Sequence, residues 1–102
     1  MIKRKTCFVL MPFSKEFNNQ WELAFIPAIE SAGLKPWRGD EESLGTNIII
    51  HDITRSIYDA EVIIADLTGR NPNIMYVLGL AHAAKKNVIM LIQDERDIPP
   101  SI

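Results

Sequence analysis

At 102 residues the chain has material for a single domain, 1–102, and none for a second. Its 47% apolar and 24% charged residues are ordinary globular values, which set aside disordered, collagen-like and coiled-coil chains. Eleven basic against thirteen acidic residues leave a formal net charge of -2, and neither half carries the one-sided field of a nucleic-acid binder.

In chain order, the basic cluster Lys3-Arg4-Lys5 reads as solvation for the start of a first strand rather than a grip on phosphate. That strand is Cys7 to Met11, short and apolar without alternation, as strands read when a sheet is covered on both faces. Cys7 is the only cysteine, so no intrachain disulfide forms, and a thiol inside an apolar run reads as a small core residue before a nucleophile. Trp21, Phe25, Ala28, Ile29 and Ala32 then share one helical face, with Gly33 at the C-terminal cap. Pro27 should kink or restart this first helix, because its ring removes one backbone bond. Leu34 to Arg38 is a second strand, and Pro36, which cannot donate to a ladder, assigns it to a sheet edge. Ile49, Ile53, Ile57 and Ala60 mark a second helix beginning near Thr46 or Asn47, and Val62 to Ala65 is a third buried strand. Asn71-Pro72, a capping residue followed by proline at the first helical position, opens a third helix through Ile74, Leu78, Ala81 and Ala84. Lys85-Lys86 suit its negative end, and Val88 to Ile92 is the fourth strand.

The series βαβαβαβ implies an α/β fold with an open, doubly wound parallel sheet of four strands and three helices. With the proline strand at an edge and right-handed crossovers, the strand order is 2-1-3-4. Ligands in such sheets bind beyond the carboxyl ends of the strands where the winding reverses, here between the first and third strands. Two loops therefore form the candidate site, Pro12 to Glu16 and Asp66 to Asn73.

In the first loop Pro12, Phe13 and Ser14 offer backbone amides, a ring able to stack on a base, and a hydroxyl; the alternative is a plain turn with Phe13 packed on the first helix. In the second, Asp66 ends a buried strand where a carboxylate can hold sugar hydroxyls, while Thr68, Asn71, Asn73 and the helix amides face a polar group. The alternative is that Asp66 accepts hydrogen bonds from its own loop and Asn71 simply caps the helix. Arg38 and Asp40 bring an ionic pair to the same rim, or form a solvated turn. Neither GxGxxG nor a Walker spacing is present. His51 and His82 stand alone on predicted helices, so no metal-ligand spacing exists. Trp21 and Trp37 read as core or interface residues, with Trp37 on the edge strand the interface member. No apolar stretch approaches the ~20 residues of a membrane span and no signal-peptide pattern opens the chain, so the expectation is a soluble, cytoplasmic domain without a membrane partner.

The strings Phe8-Val9-Leu10-Met11-Pro12-Phe13, Ala65-Asp66-Leu67-Thr68-Gly69-Arg70-Asn71-Pro72-Asn73 and Leu78-Gly79-Leu80-Ala81-His82-Ala83 closely resemble the nucleoside 2-deoxyribosyltransferase-like superfamily. The similarity runs from Cys7 to Ile92 and is nearest to a bacterial and archaeal branch of predicted nucleotide-binding proteins related to TIR-like domains. The resemblance implies a flavodoxin-like, Rossmann-like fold. It also implies a nucleoside, nucleotide or dinucleotide at the switch point, with cleavage of the N-glycosidic bond in active members. In those members a glutamate on the third helix attacks or stabilises the anomeric carbon, aspartates hold the sugar or assist the base, and sites are often shared between subunits. A carboxylate suits that step because the sugar develops oxocarbenium character. Here Tyr76-Val77-Leu78-Gly79 stands where the family reads Tyr-Glu-Leu-Gly. Valine can neither attack carbon nor stabilise a cation, and Tyr76 lies about 100° around the helix. Asp66 and Asp40 carry over as sugar-holding groups, Glu41 and Glu42 lie on a loop able to swing inward, and none replaces the nucleophile convincingly. The family's chain usually continues past the fourth strand, so this domain is expected to lack its C-terminal elements.

The expectation is thus a domain that binds a nucleoside, nucleotide or NAD-like small molecule, weak or inactive in N-glycosidic cleavage, with no resident cofactor or metal. One alternative is an active N-glycosidase or deoxyribosyltransferase that draws a carboxylate from another subunit or loop. The other is a protein-interaction or assembly module with a vestigial pocket. A chain of this size buries roughly two-thirds of its unfolded surface at best, so a sheet needing cover on both faces is short of material. The winding rule leaves the third and fourth strands uncovered on the first-helix side, and the wholly apolar fourth strand is an edge, so a homodimer through that region is expected.

Overall fold

The computed structural model describes residues 5–11, 15–38 and 54–100. Four strands, β1 (Thr6–Leu10), β2 (Lys35–Arg38), β3 (Ala60–Asp66) and β4 (Val88–Leu91), form one sheet in the order β2-β1-β3-β4. Every pairing is parallel, which gives the α/β, flavodoxin-like architecture read from the sequence. Strand limits shift by a residue or two, with Met11 and Ile92 just outside and Ala60 and Asp66 inside.

The first crossover is one helical rod: α1 (Lys15–Gln20), a π turn (Trp21–Phe25) and α2 (Ile26–Ser31). Lys15 and Glu16, assigned from the sequence to the switch-point loop, therefore belong to a helix. Pro27 restarts the helix rather than ending it: Ile26 donates its N–H to the Trp21 carbonyl, five residues back, and Pro27 sits in the first turn of α2. A proline ring collides with the carbonyl four residues earlier, and the wider π turn relieves that contact. The π turn also changes which face is apolar. Residues spaced by four drift roughly 40° per step on a regular helix, about 120° from Phe17 to Ile29. The extra residue in the π turn takes back roughly 100° of this. Phe17, Trp21, Phe25 and Ile29 thus align and pack on Cys7, Val9 and Met11 of the sheet. Ala28 and Ala32, expected on that face, are exposed instead. A glycine cap closes the rod as expected: Gly33 has φ +80°, and Gly33 and Leu34 return their N–H groups to Glu30 and Ile29.

On the opposite face lie α3, described over 54–59, and α4 (Pro72–Ala83). Ile57 of α3 and Ile74, Val77, Leu78 and Ala81 of α4 enclose Phe8, Leu10, Ile63 and Ala65. Ala60, placed on the second helix by its spacing, opens β3. It still reaches that core, because the register slips between Thr6 and Cys7 and skips Glu61, keeping Ala60 and Ile63 on one side. Ile49 and Ile53 lie outside the described residues. The third helix stops at Ala83, earlier than expected. Lys85 follows in a left-handed conformation (φ +57°), and the Lys86 ammonium donates 3.1 Å to the Tyr58 carbonyl, neutralising the end of α3 rather than its own helix.

The two sheet edges differ. β2 reads Lys-Pro-Trp-Arg and is protected by charge and proline. β4 reads Val-Ile-Met-Leu with Ile89, Met90 and Leu91 exposed. The rod reaches Val62 and Ile64 of β3 but leaves Ile89 51% accessible, so among the described residues the missing cover falls on β4.

Candidate functional site

The winding reverses between β1 and β3, and the carboxyl end of β3 there carries Asp66, the one charged side chain buried among the described residues. Its Oδ1 accepts from the Thr68 amide (3.0 Å) and the Thr68 hydroxyl (2.6 Å). The hydroxyl oxygen in turn accepts from the Gln93 amide (3.1 Å). The Gln93 side chain donates 2.9 Å to Gln20 Oε1 at the end of α1 and stands 3.5 Å from Asp66 Oδ2. The alternative in which Asp66 accepts from its own loop thus holds for Oδ1, while Oδ2 keeps one long contact. Nothing local in the sequence links Gln20 and Gln93, 73 positions apart, so their contact has no sequence signal.

From Asp66 the chain turns through Gly69 (φ +82°) and Arg70 (φ +50°) before α4. The Gly69 amide donates to Asp97 Oδ2 (2.8 Å). The Arg70 guanidinium donates to the carbonyls of Arg96, Asp97 and Ile98 at 2.9–3.1 Å. These two residues of the Asp-Leu-Thr-Gly-Arg-Asn-Pro-Asn string therefore fasten the short helical turn at Glu95–Asp97. Asn71 caps α4, its Oδ1 accepting from Asn73 (2.8 Å) and Ile74 (3.2 Å), as the capping alternative had it.

Leu67 donates to Leu91, Thr68 to Asp66, Gly69 to Asp97, Arg70 to Leu67, Asn73 and Ile74 to the Asn71 side chain, and Met75 to the Asn71 carbonyl. Pro72 has no N–H. The expectation that the amides opening α4 face a polar ligand group is thereby corrected, because the cap and the turn already hold them.

Arg38 lies on the first-helix side, its Nη1 donating 2.9 Å to Asn18 Oδ1 and its guanidinium 5.9 Å from the Trp21 ring centroid. It ties β2 to the rod, two strand spacings (about 10 Å) from β3. Asn73 is half-buried in the first turn of α4, and Thr68 is half-buried beside Asp66. Pro12, Phe13, Ser14, Asp40, Glu41, Glu42 and His51 lie outside the described residues. Val77 is buried at 2% accessibility within the apolar stripe of α4. Trp21 is half-buried in the rod's cluster, Trp37 is exposed on the edge strand, and His82 is exposed on α4.

A cleft of about 330 Å³ opens elsewhere, between Thr6, Phe8 and Trp37 of the sheet and Arg55, Ser56 and Asp59 of α3. A second, of about 230 Å³, lies along β4 beside Leu67, Ile98 and Pro99. Neither includes Asp66. Among the described residues no three His, Cys, Asp or Glu side chains are grouped to hold a metal ion, and no helix is long and apolar enough to cross a membrane. Compared with known proteins, the chain matches no family model and no curated protein.

Proposed function

We propose that the domain binds a nucleoside or nucleotide in the crevice beyond β1 and β3 and does not cleave it. The observation that carries this reading is Asp66: a carboxylate fixed at the winding reversal through one oxygen, with the other held by a single 3.5 Å contact. An ionised carboxylate oxygen is an acceptor and suits hydroxyl donors such as those of a sugar. The occupied amides of the β3–α4 turn argue for the sugar, rather than a phosphate, at this point of the crevice. Val77, buried and apolar at the position that the family resemblance gives to the nucleophile, supports binding without turnover.

Calorimetry or ligand-observed NMR with nucleosides, nucleotides and NAD tests the reading. The expected result is binding that Asp66→Asn weakens by about tenfold or more, the scale of one hydrogen bond to a charged group. Circular dichroism checks that the variant keeps its fold. Absence of binding at millimolar ligand would sink the proposal. Free base found by chromatography after incubation would replace it with a working N-glycosidase whose carboxylate comes from another subunit or loop.

A further inference from the structure

The open edge of the sheet carries information about its partner. Asn87 and Leu91 turn their carbonyls inward, accepting from Ile63 N (2.9 Å) and Leu67 N (2.8 Å). Alternation along the strand then turns the N–H and C=O groups of Val88 and Met90 outward. This outward row is apolar, with Ile89, Met90 and Leu91 all exposed, and the 230 Å³ apolar cleft lies at its carboxyl end. Charge flanks it asymmetrically: Lys85 and Lys86 precede the strand, Lys86 also reaching the Tyr58 carbonyl, whereas three acids and one arginine follow it in Asp94-Glu95-Arg96-Asp97, with Asp94 paired to Arg96 at 2.6 Å.

We infer that β4 pairs antiparallel with β4 of a second copy, joining two four-stranded sheets across a two-fold axis normal to the sheet. An axis in that direction keeps each face of the sheet continuous, so residues opposite one another must face the same way. Centred on Met90, the pairing sets Met90 against Met90 and Val88 against Ile92, which brings outward backbone groups together. Ile89 then lies opposite Leu91 on the face the rod leaves bare. The same register brings the Lys85-Lys86 end of each strand beside the Asp94-Glu95 end of the other. Parallel pairing would set lysines beside lysines. The flanking charges therefore select the antiparallel direction, and they select a second copy of this chain as the occupant.

Sedimentation velocity or light scattering of the 102-residue chain across roughly 1–500 µM reads the self-association by mass action. The expected species is a dimer. Lys85→Glu and Glu95→Lys should each raise the dissociation constant by about tenfold, because both symmetry-related charge pairs turn repulsive. An equimolar mixture of the two variants should recover wild-type affinity, since every opposed pair is again of unlike sign. Met90→Pro removes an outward donor while leaving the bonds to β3 in place, and should give a folded monomer. A wild-type monomer over the whole range overturns the inference and leaves the edge to another strand or another protein. A dimer that survives Met90→Pro, or a mixture that does not recover, overturns it as well by pointing to face-to-face packing. None of these readouts depends on whether the crevice binds a nucleoside.

Discussion

Val77 occupies a position where one atom group would change both chemistry and stability. It belongs to the buried stripe Ile74, Val77, Leu78 and Ala81. A glutamate there would start from inside that apolar cluster, whereas Asp66, the buried carboxylate among the described residues, lies outside it and takes donors from its own turn. Val77→Glu should therefore cost about 3–5 kcal/mol by urea denaturation, the scale of an uncompensated buried charge. Burial raises the carboxyl pKa in the folded state, so the deficit should be smaller near pH 4 and grow as pH rises through the folded value. If the variant nonetheless folds and releases base from a bound nucleoside, the assignment of this position in the family resemblance gains direct support. Cys7 is simpler. Burial pushes its thiol above the ordinary value, so it should resist alkylation until the chain unfolds. A raised folded pKa gives stability that is complete below the unfolded thiol value and is lost as pH climbs beyond it. Urea midpoints from pH 8 to 10 should fall more steeply in the wild type than in Cys7→Ala, the difference between the two series being the thiol's share.

At the level of elements, the helix ends were the most legible features. Gly33 and Asn71-Pro72 act through their own backbone conformation, so their roles depend on neighbours in sequence and can be read there. The exception is instructive. α4 closes with the hydrogen bonds of a glycine cap, Lys85 to His82 and Lys86 to Ala81, yet a lysine holds the left-handed position. Lys85→Gly should raise stability by about 0.5–1 kcal/mol, measured by denaturation at a concentration where the chain is dissociated. The π turn could not be read in advance, because it answers both to Pro27 and to the line of Phe17, Trp21, Phe25 and Ile29 against the sheet. The Gln20–Gln93 contact and the Arg70 clamp were hidden for a related reason: both join segments that meet only after the sheet has formed. What was visible at the site was the position of Asp66, while the way its turn consumes the surrounding amides was not.

For the molecule as a whole, alternation of apolar runs with helical stripes was enough to order the strands, because parallel crossovers admit few solutions. The same reasoning located the missing cover, and the structure narrows it to β4, since the rod still reaches Val62 and Ile64. The opposite edge sets the limit on what such a sheet can build. With Lys35, Pro36 and Arg38 along β2, the described residues offer one unguarded sheet edge, and the inferred β4 pair would present guarded β2 strands at both ends. In that inferred pair, growth by edge addition would terminate at the first encounter, which separates an apolar open strand from the fibres that a sheet with two such strands would seed.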